Sequence, residues 1–241
     1  MTQQRLEEVK KVEYHSEFYN VTKKDEQWIR LSDGCFRNCW NCSAPTKKQH
    51  YPIPEITRNK VTIIDMNFLY AYPNPEKTLK ELGSRRVNGK VVYYDFYCGL
   101  DFTLFTQELC DTLYQNRFGR FNNKRRFIKG LRIAWDRTVK EQIVMKKAID
   151  MLKKAGYDAK TIQVFMLTNG LIPFSECKLK LDLMKVWNVQ VADCWFDNQK
   201  RGSVIPIYWN EKECKIFGRE CRKHNQIITF GIDPELDHPN H

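Results

Sequence analysis

The chain lacks any apolar run approaching the roughly 18 residues that a bilayer-spanning helix needs. Its opening residues, MTQQRLEEVKK, hold no apolar segment of the secretory kind. Both absences point to a cytoplasmic protein with no membrane partner. Internal repeats and low-complexity tracts are missing too, and no convincing linker interrupts residues 28–230, which favours one domain. That reading leaves an N-terminal arm at 1–27 and a C-terminal tail at 231–241. Acidic residues are in deficit: 29 Asp and Glu against 40 Lys and Arg, a net charge of +11. This balance favours acidic partners such as nucleic acid or an acidic protein, and is silent on fold. Apolar residues make up 42% of the 241 and aromatics 13%, enough to fill a sizeable core.

Nine cysteines is an odd number, and in a reducing compartment a disulfide framework explains them poorly. Cys98, Cys110, Cys177, Cys194, Cys214 and Cys221 are scattered and read mostly as small core residues. The stretch GCFRNCWNC (34–42) is different: Cys35, Cys39 and Cys42 stand at spacings of four and three, with no fourth cysteine nearby.

Around that stretch the pattern alternates. WIRLS (28–32), VTIIDMNFLY (61–70), KVVYYDFY (90–97), LRIAWD (131–136), TIQVFMLTNG (161–170) and VQVADCWFD (189–197) read as strands. PEKTLKELG (75–83), TLFTQELCDTLYQNR (103–117), the stretch after Thr138 up to Gly156, PFSECKLKLDLMKVWN (173–188) and EKECKIFGRECRKHN (211–225) read as helices. The helix after Thr138 has an apolar stripe of Ile143, Val144, Ala148, Met151 and Leu152. Residues 45–60, with three prolines, read as a loop. Strand–helix alternation implies an α/β fold with parallel strands, either an open doubly wound sheet or a complete or partial barrel.

Thiolates are soft ligands suited to zinc or iron–sulfur clusters. Three arrangements compete. Structural zinc would take His50 as a fourth ligand, without the usual short spacing. A closed four-cysteine cluster would recruit a distant thiol such as Cys98. A [4Fe–4S] cluster held by three thiolates would keep one iron open, as reactive sites require. The trio lies directly after the first strand, and in alternating α/β folds loops at the carboxyl ends of strands carry the active site.

Here the chain resembles the radical S-adenosylmethionine (SAM) superfamily. Cys35, Cys39 and Cys42 match its Cys-x3-Cys-x2-Cys signature, and Trp40 fills the aromatic place two before the third cysteine. IDMNFLYAYP, CGLDFTL, LRIAWD and MLTNG follow in a similar order and spacing, so the resemblance covers roughly residues 28–200. It implies a partial (β/α)6 barrel over 28–230, with one [4Fe–4S] cluster and SAM as cofactors. SAM would chelate the open iron, and its one-electron cleavage would leave a 5′-deoxyadenosyl radical that abstracts hydrogen from a substrate. An acidic electron donor such as flavodoxin or ferredoxin is the implied partner. RNA, a peptide or a metabolite can each be the substrate. The competing reading is a non-catalytic zinc or iron–sulfur protein with a basic nucleic-acid-binding surface.

The Gly-Gly-Glu found in many members after the second strand is absent; Asp65 and Asn67 stand there instead, either to accept from the SAM amino group or to form a strand-end turn. Asp101 and Asp136, after the third and fourth strands, are candidates for the ribose hydroxyls or the methionyl ammonium, although Asp136 also reads as a helix cap. Gly170, after the fifth strand, lets backbone approach the adenine or simply turns the chain. Asp193 and Asp197 are weaker candidates to face substrate. RFGRFNNKRRFIKG (117–130) interleaves cations with Phe118, Phe121 and Phe127, a single-strand nucleic-acid pattern. Topology sets it at the amino-terminal face, opposite the chemistry. Cys214 and Cys221 are too few for the cysteine-rich extension that holds a second cluster in some relatives, and a cobalamin domain before Trp28 is not expected.

Overall fold

The computed structural model describes residues 19–39, 42, 44–168, 172–195 and 209–231. The architecture is mixed α/β. Strand β1 (Asn20–Thr22) pairs antiparallel with β2 (Gln27–Ile29). A short hairpin follows, β3 (Ser32–Asp33) against β4 (Gln49–His50), and the three cysteines lie between its arms. Next come β5 (Lys60–Ile63), α1 (Phe68–Ala71) and α2 (Pro75–Ser84). The hairpin β6 (Arg86–Val87) and β7 (Lys90–Val91) leads into β8 (Tyr93–Phe96). Then follow α3 (Gln107–Gln115), β9 (Phe118–Phe121), β10 (Phe127–Ile128), β11 (Arg132–Ala134) and α4 (Gln142–Ala155). The chain continues through β12 (Gln163–Thr168), α5 (Phe174–Trp187), β13 (Gln190–Trp195) and α6 (Glu211–Phe230).

Two sets of parallel strands carry the core. β2, β5, β8 and β9 are parallel neighbours in one sheet, and β11, β12 and β13 in another. An isolated parallel bridge, Leu100 to Ile133, joins them: Leu100 N–H donates to Arg132 O at 2.9 Å and Ala134 N–H to Leu100 O at 3.1 Å. Parallel order therefore runs in sequence from β2 to β13 across this seam, with β9 and β10 filling the amino-terminal side of the gap. Among the described residues no sheet closes on itself. Nor is any helix long and apolar enough to cross a membrane.

Several expectations change in detail. The expected strand over 61–70 stops at Ile63, and its second half is helical because the Asn67 side chain caps α1 by accepting from Tyr70 N–H at 3.3 Å. Thr138 caps a 3-10 turn, Val139–Glu141, rather than α4 itself. The buried stripe of α4 is Met145, Ala148, Ile149 and Leu152, whereas Ile143 is 78% exposed and Val144 44%. The 3-10 turn rotates the helical phase, so the two apolar residues beside it face solvent. Gly156 does end α4, in a left-handed conformation at φ 114°. Cys110, Cys177 and Cys221 are fully buried, as small core residues should be. The arm before residue 19 and the tail after 231 lie outside the described residues.

Candidate functional site

Cys35, Cys39 and Cys42 form no disulfide and are half-buried. Two features fix their loop to the hairpin beneath it. Cys35 N–H donates to Pro45 O at 2.8 Å. Gly34, at φ 115°, lies so close to the other arm that a Cβ would meet Lys47 O at 2.7 Å. Gly34→Ala is expected to cost at least about 1 kcal/mol, from the backbone conformation alone, before the clash is counted. Urea unfolding, with α2 packing as the internal reference, measures it. Cys42 N–H donates to Cys39 O at 3.0 Å, closing a turn, and Cys42 Sγ accepts from Ala44 N–H at 3.4 Å.

Loops after three further parallel strands reach this loop. After β5, Asn67 donates through Nδ2 to Cys35 Sγ at 3.3 Å and to Asp101 Oδ2 at 3.0 Å. After β8, Asp101 accepts with its other oxygen from Thr103, at 3.2 Å from N–H and 2.7 Å from the hydroxyl. Its Oδ2 also lies 3.9 Å from the Arg37 guanidinium, which belongs to the cysteine loop. After β11, Glu141 binds Arg37 at 3.0 Å. The result is a chain of contacts, Cys35–Asn67–Asp101–Arg37–Glu141, that ties the thiol loop to the carboxyl ends of successive strands.

Asp65 sits elsewhere in the same region. It is 3% exposed, and its carboxylate accepts from Leu31 N–H at 2.8 Å and Ser32 Oγ at 2.6 Å. Burial pushes it up to about 7, opposed by those two hydrogen bonds. Both oxygens are thus committed to bracing the strand end from which the cysteine loop departs. Asp136 is not a helix cap: Thr138 holds that role, and Asp136 accepts from Leu167 N–H on the neighbouring strand. Burial pushes Asp136 up to about 6, against the pull of Lys180 and Arg37. Its charge is felt at Cys39, whose thiol is pushed up to about 12 by burial, then by Asp136, with Cys35 and Cys42 adding to it against the pull of Arg37.

The alternative fourth ligands differ in placement. His50 lies exposed in β4 with its ring edge-on to Tyr72 at 5.7 Å. Cys98 is near enough to Cys42 to feel its charge, and burial pushes it up to about 12. Its thiol donates to Ile64 O at 3.7 Å and lies 3.9 Å from Met66 Sδ. Asp193 is near Arg222 and Gly218 of α6. Gly170, Trp40 and Asp197 lie outside the described residues.

Sequence reasoning passed over three residues. Arg37 stood inside the motif, but no spacing rule linked it to Glu141, 104 positions away. Lys180 is fully buried on α5 and donates to Trp135 O at 3.2 Å and to Arg137 O, holding the turn that presents Asp136. A lysine in an amphipathic helix normally reads as solvent-facing, so only its carbonyl partners reveal the role.

The basic stretch 117–130 forms the β9–β10 hairpin. Phe118 is fully buried and Phe121 2% exposed, so neither ring is available to stack on a base. Arg120 donates to Thr161 O at 3.3 Å and to Gln190 at 2.8 Å, and Arg125 pairs with Glu26. Lys129 rests over the Tyr114 ring at 3.3 Å. These cations brace the amino-terminal side of the sheets.

Among the described residues no three His, Cys, Asp or Glu side chains are already drawn together as a metal site. By donor chemistry the trio nevertheless fits an iron–sulfur cluster: three soft thiols on one short loop, none in a disulfide, with Cys35 and Cys42 close enough to help raise the Cys39 thiol. No protein-family model matches the chain, and no curated protein matches it either.

Proposed function

We propose that this chain is a radical SAM enzyme built on a partial (β/α)6 barrel, working in the reducing cytoplasm. The observation that carries the reading is the convergence of loops after β2, β5, β8 and β11 on the three-cysteine loop. A structural metal clip has no need of that placement, whereas a reactive centre at the carboxyl edge of parallel strands does. The in-order parallel run from β2 through the Leu100–Ile133 seam to β13 supports the barrel reading.

Cys35, Cys39 and Cys42 would hold a [4Fe–4S] cluster; when bound, cluster and SAM supply one-electron cleavage of the sulfonium to a 5′-deoxyadenosyl radical. Binding would draw in the sulfurs and displace their protons, against the burial that raises the Cys39 thiol. Asn67, donating to Cys35 Sγ, orients that ligand and lowers its charge density. Arg37, held between Asp101 and Glu141, keeps a fixed cation beside the loop. Asp136 offers a carboxylate, positioned by Leu167 N–H, to the methionyl ammonium. Asp65 and Asp101 act as braces, since protein donors already occupy their oxygens.

The test is anaerobic reconstitution with iron and sulfide. A brown protein that binds SAM and releases 5′-deoxyadenosine with dithionite supports the proposal; a colourless protein with one zinc and no product overturns it. A pH series adds a finer check. Asp136 is ionised above about pH 6, so SAM affinity should weaken as pH falls through that value. Asp136→Asn should bind SAM weakly throughout and flatten the profile between pH 5 and 7, about one unit on either side of that value.

A further inference from the structure

A cationic, aromatic surface adjoins the cysteine loop on its solvent side. Phe36, between the first two cysteines, is 45% exposed and rests on the Tyr70 ring at 5.0 Å. Lys48 places its ammonium 4.1 Å from the same ring. Lys47 is exposed beside it. These lysines are not on a loose excursion. Their backbone packs against Gly34, Pro45 O accepts from Cys35 N–H, and β3–β4 pairing aligns Ser32 with His50 and Asp33 with Gln49. Residues 44–54, APTKKQHYPIP, contain no Asp or Glu to offset the charge.

We infer that Phe36, Tyr70, Lys47 and Lys48 form the docking surface for an acidic one-electron carrier protein. The inference rests on the radical reading above, because only a redox centre at the cysteines needs such a carrier. The step is one electron: the carrier's flavin or iron–sulfur group is oxidised by one, the cluster is reduced by one, and no bond or proton changes hands. Electron tunnelling decays steeply with distance, so a carrier must dock where the thiol loop itself meets solvent. Among the described residues of the loop, Phe36 is an exposed ring. Electron-transfer encounters are small, weak and steered by charge, and two lysines around an apolar centre suit that class. The same two cations would hold RNA poorly, since each neutralised phosphate adds only one counterion's worth of binding.

The test uses reconstituted protein, with a flavodoxin and a ferredoxin as probes, and the variants K47E/K48E and K47A/K48A. Surface plasmon resonance at low ionic strength should show salt-sensitive carrier binding to wild type. It should weaken about tenfold or more in the charge-reversed variant and less in the alanine one. Carrier-driven 5′-deoxyadenosine formation should fall in parallel, while dithionite-driven formation stays at the wild-type rate. Carrier binding unchanged in both variants, or no binding of either probe to wild type, overturns the inference. So does a short single-stranded RNA whose binding is lost in the variants while carrier binding persists. Absence of 5′-deoxyadenosine with dithionite in wild type would sink the radical reading instead, and the binding arm would still report on the surface.

Discussion

Replacing Cys35, Cys39 or Cys42 by Ala, one at a time, is expected to abolish iron retention after reconstitution and 5′-deoxyadenosine formation together. Cys98→Ala is expected to leave both near wild type. The contrast follows from the sulfur environments. The three loop thiols lie on one turn-forming segment and share one another's electrostatic field. Cys98 is held as a neutral thiol, donating to Ile64 O and packed against Met66 Sδ, with burial raising its proton affinity. Burial raises Cys39 as well, so what sets Cys98 apart is its hydrogen bond, which metal binding would have to break. Asn67→Ala gives the graded case: loss of the donor to Cys35 Sγ should lower cluster affinity by about 10–100-fold without abolishing it. Iron analysis and the visible absorption of each variant make the measurement. Loss of iron in Cys98→Ala would mean four thiolates and a closed cluster, and the enzymatic proposal would fail with it.

The helices and the parallel strands were legible because their signals are local. Pro75 at a helix start, Gly156 at a helix end and β-branched runs such as VTII depend on near neighbours alone. The cysteine trio was legible for the same reason. Long-range pairing was not. RFGRFNNKRRFIKG looked like a nucleic-acid tract because cations and rings interleave, but β9 is buried at every position, with Phe118 and Phe121 on opposite faces of the strand. Asp65 and Asp101 were placed correctly at strand ends, but their partners, Leu31, Ser32, Asn67 and Thr103, lie mostly in other loops. A carboxylate's role depends on which donors reach it, and sequence spacing carries no record of that. Arg37 and Glu141 meet for the same hidden reason.

The seam between the two strand sets should be the most sensitive structural point in the molecule. Asp95 on β8 is 1% exposed and pairs with Arg132 on β11. Asp95 Oδ2 also accepts from Phe121 N–H at 3.0 Å, and Arg132 donates to Phe121 O at 3.1 Å. One ion pair therefore binds β8, β9 and β11 beside the Leu100–Ile133 backbone bridge, on the side of the seam where Arg120 also reaches from β9 to Gln190. Burial pushes the Asp95 carboxyl up despite the neighbouring guanidinium, so desolvation outweighs the attraction. Such a pair adds little relative to an apolar replacement, yet losing one member strands the other charge. Arg132→Met should accordingly destabilise the fold by about 3–5 kcal/mol, whereas Asp95→Leu combined with Arg132→Met should recover much of that loss. Denaturant unfolding of the single and double variants gives the coupling directly. Hydrogen exchange locates it: in Arg132→Met the amides of Leu100 and Ala134, which form the bridge, should lose protection before those of β12. A cost under about 1 kcal/mol, typical of solvent-screened pairs, would show that the seam is held by the apolar side chains around Leu100 and Ile133 instead.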